Sequence, residues 1–212
     1  MTIDTNAELE TAIAGYLARS DLTSYIPDFV VGAETRIAYG SKEPFESQPL
    51  RIRAMETEAT LTPSAGAVTL PSGFLGLKSI YEDASRTNRL EQTTAEIFYG
   101  QKMGSSYNRG FYIIEGDNII LGNGVTSDVR LIYYKKFDPI ATASPVTWIL
   151  SNAPHLYIYG ALLEAAPFIR NDARLQIWHG MFRGLVNSLN SADKRDRWGG
   201  SVVSVRNDIG NP

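Results

Sequence analysis

The chain has no cysteine, which excludes disulfide staples, thiolate nucleophiles and cysteine-ligated metals. It has only two histidines, His155 and His179, so imidazole chemistry has little to draw on. No apolar run approaches the roughly eighteen residues of a membrane-spanning helix, and the reading has no membrane role. A strong excess of one charge is also lacking. The formal net charge of -3 argues against a surface that binds nucleic acid by releasing counterions. The acidic opening MTIDTNAELETAI has no basic stretch of the kind that begins a secretion signal, so a cytoplasm-like setting is expected. What is present is an ordinary globular composition. The 212 residues are 43% hydrophobic and 20% charged, enough for one elaborated domain or two small ones, each with a buried core.

Catalytic patterns are as scarce as the residues that build them. His155 follows Pro154 at a helix start and His179 follows Trp178 on an amphipathic face. Neither has the Glu and second His of a zincin, and both read as packing or interface residues. There is no Gly-x-Ser-x-Gly elbow, and no Walker lysine follows a glycine-rich loop. Gly122-Asn123-Gly124 reads as a turn rather than a dinucleotide loop. Glu56 and Glu58 share one face of a strand, a pairing that could serve a glycosidase or a divalent cation, although exposed strand carboxylates are more commonly solvated surface. Tyr107, Phe111, Tyr112 and Tyr133-Tyr134 could form a carbohydrate platform or a protein interface. Strand alternation puts Tyr133 and Tyr134 on opposite faces, one for the core and one for contact. No enzyme, cofactor or metal site follows from these residues.

Periodicity divides the chain into three zones. From Asn6 to Arg19, Leu9, Ile13, Tyr16 and Leu17 recur at helical spacing, with Thr5 or Asn6 as N-cap. Asp21 to Tyr25 is a polar break. A second helix opens near Pro27, buries Phe29, Val30, Ala33 and Ile37, and ends at Gly40-Ser41. Residues 44–143 read as β structure. Strands are expected at Leu50-Arg51-Ile52-Arg53, Ala59 to Leu61, Val68 to Leu70 and Leu75 to Tyr81. Tyr112 to Leu121 forms a hairpin about Glu115-Gly116-Asp117-Asn118, and Val129 to Tyr134 is the last strand. Helix returns near Trp148 or after Pro154. There Gly160, Ala161, Ala165 and Ala166 make a thin side for close backbone packing, and Pro167 ends or kinks the helix. Asn171-Asp172 caps a final helix with Ile177, Met181, Leu185 and Leu189 at four-residue spacing.

The fold expected is α+β: a helical domain built from both chain ends, a β-rich insertion between them and an extended C-terminal arm. The boundaries are 1–43 and 144–198 for the helices, 44–143 for the insertion and 199–212 for the arm. The stretch Asp193 to Trp198 mixes charge with a large aromatic. It reads either as a frayed helix end, with Lys and Arg suited to the helix dipole, or as the start of an arm that orders on a partner. Val202, Val203 and Val205 beyond it could join a partner's sheet or groove.

The order of these pieces resembles the head-to-tail adaptor, or connector, proteins of short-tailed bacteriophages and related prophages. Leu70-Pro71-Ser72-Gly73-Phe74-Leu75 is similar to that family's Leu-Pro-x-x-Phe-Leu strand opening, with Gly73 where many members carry Asp. Tyr112 to Leu121 followed by Val129 to Tyr134 resembles its paired strands. Trp148-Ile149-Leu150 and Ala153 to Pro167 resemble the opening of its last helical pair. The resemblance runs from about Leu50 to Trp198. It implies a non-enzymatic virion protein, made in the host cytoplasm, that forms a ring, usually of twelve copies, between the portal protein and the tail nozzle or fibre proteins. DNA would pass through the ring without specific binding. The residues expected to hold the portal are Lys194, Arg195, Arg197, Trp198, Val202, Val203 and Arg206. Rival readings are a tail terminator or tube protein, and a carbohydrate-binding module using Glu56, Glu58 and exposed tyrosines.

Overall fold

The structure, a computed structural model, describes residues 3–82, 88–100, 110–142, 147–169 and 172–198. The fold is α+β, with helices at both ends of the chain and strands in the middle. It divides into two compact units: a helical unit of residues up to 53 and from 152 onward, and a β unit of residues 54–151.

The helical unit contains α1 (Asn6–Leu17) and α2 (Ile26–Tyr39) from the N-terminal side, with α5 (Pro154–Glu164) and α6 (Arg174–Trp198) from the C-terminal side. Thr5 caps α1 through a reciprocal capping box. The Glu8 N–H donates to Thr5 Oγ1 at 3.2 Å, and Glu8 Oε2 accepts the Asp4 and Thr5 N–H groups at 2.8 and 3.1 Å. Two donors left over at any helix start are thereby satisfied. The break between the first two helices is a 3-10 turn, Ser20–Tyr25. Helix α5 occupies the centre, packed by α1, α2 and α6. Leu156, Tyr157, Ala161 and Leu162 are almost wholly buried there. The thin side read from the sequence is used: a Cβ added at Gly160 would lie 2.9 Å from the Ala33 Cβ of α2 and 3.3 Å from Phe182 of α6. Glycine is what lets three helices meet at that level. Beside this crossing, Arg36 of α2 donates from Nε to Glu164 Oε1 at 2.8 Å, while Arg36 Nη1 donates to Ser41 Oγ and the Phe45 carbonyl. Helix α5 stops at Glu164, and Pro167 lies in the 3-10 turn Ala166–Phe168 that follows.

Two sheets and one short helix form most of the β unit. One sheet has the order β1-β8-β3-β4, from β1 (Glu56–Leu61), β8 (Val129–Lys135), β3 (Phe74–Glu82) and β4 (Asn88–Arg89). The other has the order β2-β7-β6-β5, from β2 (Ala67–Thr69), β7 (Asn118–Leu121), β6 (Phe111–Glu115) and β5 (Glu91–Gln92). The short helix is α3 (Ala95–Gly100), and α4 (Trp148–Asn152) closes the unit. All pairings are antiparallel except β5 with β6. The two sheets share a single core. Ile80, Val129, Leu131 and Tyr133 come from the first, and Val68, Tyr112, Ile119 and Leu121 from the second. Strand β8 shows the period of two that a pleated strand imposes: Val129, Leu131 and Tyr133 are buried while Arg130, Ile132 and Tyr134 are half-exposed. The β6–β7 hairpin pairs Glu115 with Asn118 around Gly116 at φ +56°, a position that favours glycine. Gly73, where the resembling family often has Asp, adopts φ +74° in the turn before β3. Glycine and aspartate are both tolerated in such a backbone.

Two sequence expectations need correction. Leu50-Arg51-Ile52-Arg53 is not a strand; it lies extended in the helical unit. The segment has no sheet partner because its backbone is bonded to helices. The Leu50 N–H donates to the Ile37 carbonyl at 2.9 Å, the Arg51 N–H to Asn190 Oδ1 at 2.8 Å and the Arg53 N–H to Asp193 Oδ1 at 2.7 Å. Alternation records only that Leu50 and Ile52 are buried; it cannot say what satisfies the backbone. The four-residue series on α6 is the second correction. Leu185 and Leu189 are half-buried, but Ile177 and Met181 are 59% and 52% exposed. The packed face belongs to Trp178, Phe182 and Val186, a parallel series one residue on. Both rows step by four residues, so spacing alone does not tell them apart; packing against α5 decides which faces inward.

Candidate functional site

The C-terminal half of α6 is organised by Asp193. Its Oδ1 accepts the Arg53 N–H at 2.7 Å, and its Oδ2 accepts Arg197 Nε at 2.6 Å. Arg197 is thus tied to its own helix one turn back, a pairing typical of positions i and i+4. Lys194 and Arg195 are exposed on the same helix. Trp198 is its last residue. Val202, Val203 and Arg206 lie outside the described residues, as does the expected arm over 199–212. Lys194, Arg195, Arg197 and Trp198 all belong to the last residues of α6.

The other residues singled out from the sequence go to packing and pairing. His179 Nε2 lies 2.8 Å from the Glu46 carbonyl, and its ring meets Phe45 edge-on at 5.6 Å. His155 packs against the Tyr159 ring at 6.0 Å. The two carboxylates of β1 each have a cation: Lys78 Nζ is 2.9 Å from Glu56 Oε1, and Arg130 Nε is 3.2 Å from Glu58 Oε1. They form a cross-strand ladder of opposite charges. Tyr133 is buried and stacks on Phe74 at 5.7 Å, and Tyr134 is half-exposed. Tyr112 is buried, which raises its phenol above the ordinary range. Phe111 is half-buried, and Tyr107 lies outside the described residues. Among the described residues no cluster of His, Asp and Glu side chains could hold a metal ion, and no helix is long and apolar enough to cross a membrane.

Surface features that the sequence did not disclose lie on the helical unit. Tyr25 and Phe168 are exposed and pack together at 5.3 Å over Phe29. An apolar groove of about 530 Å³ runs between α1 and the start of α5. Ala12, Gly15 and Tyr16 form one wall, and Pro154, His155 and Ile158 the other. The exposed Ile177 and Met181 form a ridge on the outer side of α6. Buried and exposed large apolar residues look alike in a sequence, so only the packing of α6 through Trp178 and Phe182 reveals which series faces outward.

These features form no catalytic centre. They describe a protein whose notable surfaces are apolar and charged helix faces, suited to contact with other proteins. No match emerges among curated proteins. A family model described as SU10 adaptor protein matches residues 1–206, almost the whole chain. On that match the chain belongs to the SU10 adaptor protein family, a family of bacteriophage head-to-tail adaptors.

Proposed function

We propose that the chain is a structural virion protein that forms a ring below the portal and links it to the tail. Twelve copies are expected in the ring. The observation that carries the reading is membership of an adaptor family over residues 1–206, set beside a helix end that presents Lys194 and Arg195 to solvent. In this reading the helical unit, with residues up to 53 and from 152, faces the portal. The β unit, residues 54–151, is turned toward nozzle or fibre proteins. The segment 199–212 acts as an arm, and Lys194, Arg195, Arg197, Trp198, Val202, Val203 and Arg206 hold the portal. Assembly is templated: copies associate weakly alone, and the arm orders only when it docks, so its entropy loss is set against portal contacts. DNA passes through without specific binding, in keeping with the net charge of -3.

The test is truncation after Gly199. The shortened chain should remain folded, with wild-type helical circular dichroism, and fail to co-sediment with portal rings from its own genome. Normal docking of the truncated chain would refute the role given to the arm.

A further inference from the structure

The helical unit carries a ridge and a groove that no residue of the described chain fills or covers. Ile177 and Met181 stand out from α6 on a flank about 100° round from its packed Trp178–Phe182–Val186 face. The backbone beside them is bare: Gly180 and Gly184 are exposed, and a Cβ added to either would meet nothing within 4 Å. Another surface can therefore approach this helix closely. The groove between α1 and α5 is lined mainly by apolar surface, and Gly15 leaves part of its wall equally open.

Charge distinguishes the two surfaces. Beside the ridge Arg183 is exposed, while Arg174 is paired with Asp172 at 2.6 Å; Lys194, Arg195 and Arg197 lie at the far end of the helix. Residues 3–17 have Asp4, Glu8 and Glu10 and no cation, a balance of -3. Asp4 and Glu8 continue the helix face of Ala12 toward the N-terminus at four-residue spacing, so acid flanks the groove along α1. An apolar ridge beside Arg183 is thus opposite in charge to an apolar groove flanked by acid. Both belong to the same chain, and two different patches that fit each other generate a head-to-tail contact. Such contacts close into a ring when the rotation between neighbours closes, and otherwise give an open filament.

We propose that the Ile177–Met181 ridge of one copy seats in the α1–α5 groove of the next, and that this contact joins neighbouring subunits. The inference rests on the ring reading above and names the surface that builds the ring.

Because the chain lacks cysteine, introduced thiols are its only ones, and each single variant reports pairing of like positions or with the portal. A chain carrying both Gly15→Cys and Met181→Cys is assembled on portal rings from its own genome and oxidised. A ladder of covalent multimers is expected, at least tenfold above either single variant, with unchanged helical circular dichroism. The yield of free oligomers should fall as salt is raised. Covalent dimers alone would indicate an exchange between two copies and overturn the head-to-tail contact. Rings that stay intact in electron micrographs without any ladder would assign the groove to another occupant and overturn the inference, while leaving the ring reading in place. If the wild-type chain forms no ring on the portal, the ring reading fails and this inference fails with it.

Discussion

The crossing of α2 and α5 at Gly160 makes a prediction whose size can be worked from the structure. In Gly160→Ala the new Cβ lies 2.9 Å from the Ala33 Cβ, closer than two methyl groups can sit, so the helices must part. Overpacking of this kind costs about 1–3 kcal/mol, and the better helix propensity of Ala returns up to about 1 kcal/mol. The net destabilisation is about 0–2 kcal/mol. Ala33→Gly alone loses a buried methyl, worth about 0.8 kcal/mol, and adds a helical glycine at about 1 kcal/mol, for a total near 2 kcal/mol. In the double variant Ala33→Gly with Gly160→Ala the contact with the Ala33 methyl is gone, the 3.3 Å approach to Phe182 is common to both chains that carry Gly160→Ala, and the helix-propensity terms cancel. That chain should be only about 1 kcal/mol less stable than wild type, well short of the sum of the singles when the clash is large. The coupling energy is then the clash itself, about 1–3 kcal/mol in favour of the pair. Urea unfolding followed by circular dichroism at 222 nm reads it, because the long helices all belong to the helical unit. Additivity within about 0.5 kcal/mol would refute the claim that glycine is required there by contact with Ala33.

Three further outcomes follow from the same unit. Glu164→Ala removes the carboxylate that Arg36 donates to at 2.8 Å; because Arg36 keeps Ser41 and the Phe45 carbonyl, the loss should be about 2 kcal/mol in urea unfolding, less than for a fully stranded buried charge. Asn190→Ala frees the Arg51 N–H and the Pro49 carbonyl together, and should cost about 2–3 kcal/mol and speed amide exchange at Arg51. The carboxyls of Glu8, bonded first by the Asp4 N–H, and Asp172, bonded first by the Arg174 side chain, are both held below the ordinary carboxylate range. Their contribution to stability is therefore complete above the ordinary range, near pH 4, and is lost as pH falls through the lower folded values. Comparing Glu8→Gln with wild type across an acid titration should show a stability gap that closes toward low pH, and a gap that widens would contradict the capping geometry.

Much of the fold was legible because one physical rule governed each legible element. Thr5 and Pro27 mark helix starts by capping chemistry and fixed φ, and the alternation in Val129 to Tyr134 follows from a pleated strand with one buried face. Gly160 and its small neighbours announced close packing before any partner was known, and the structure supplies Ala33 and Phe182. Where two rules give the same pattern, the reading failed. Leu50 to Arg53 alternates like a strand, yet long-range bonds to Ile37, Asn190 and Asp193 hold its backbone. On α6, two parallel apolar series run a residue apart, and only packing against α5 shows that Trp178, Phe182 and Val186 face inward. The α1–α5 groove joins residues about 140 positions apart in sequence, so no local pattern could reveal it.

The most direct test of the account is negative-stain electron microscopy of the chain mixed with portal rings from its own genome. An added tier of density below the portal, sharing the portal's symmetry and absent with the chain truncated after Gly199, is the predicted result. Bare portals beside free monomers, at concentrations where the intact chain is folded, would contradict the adaptor role proposed for it.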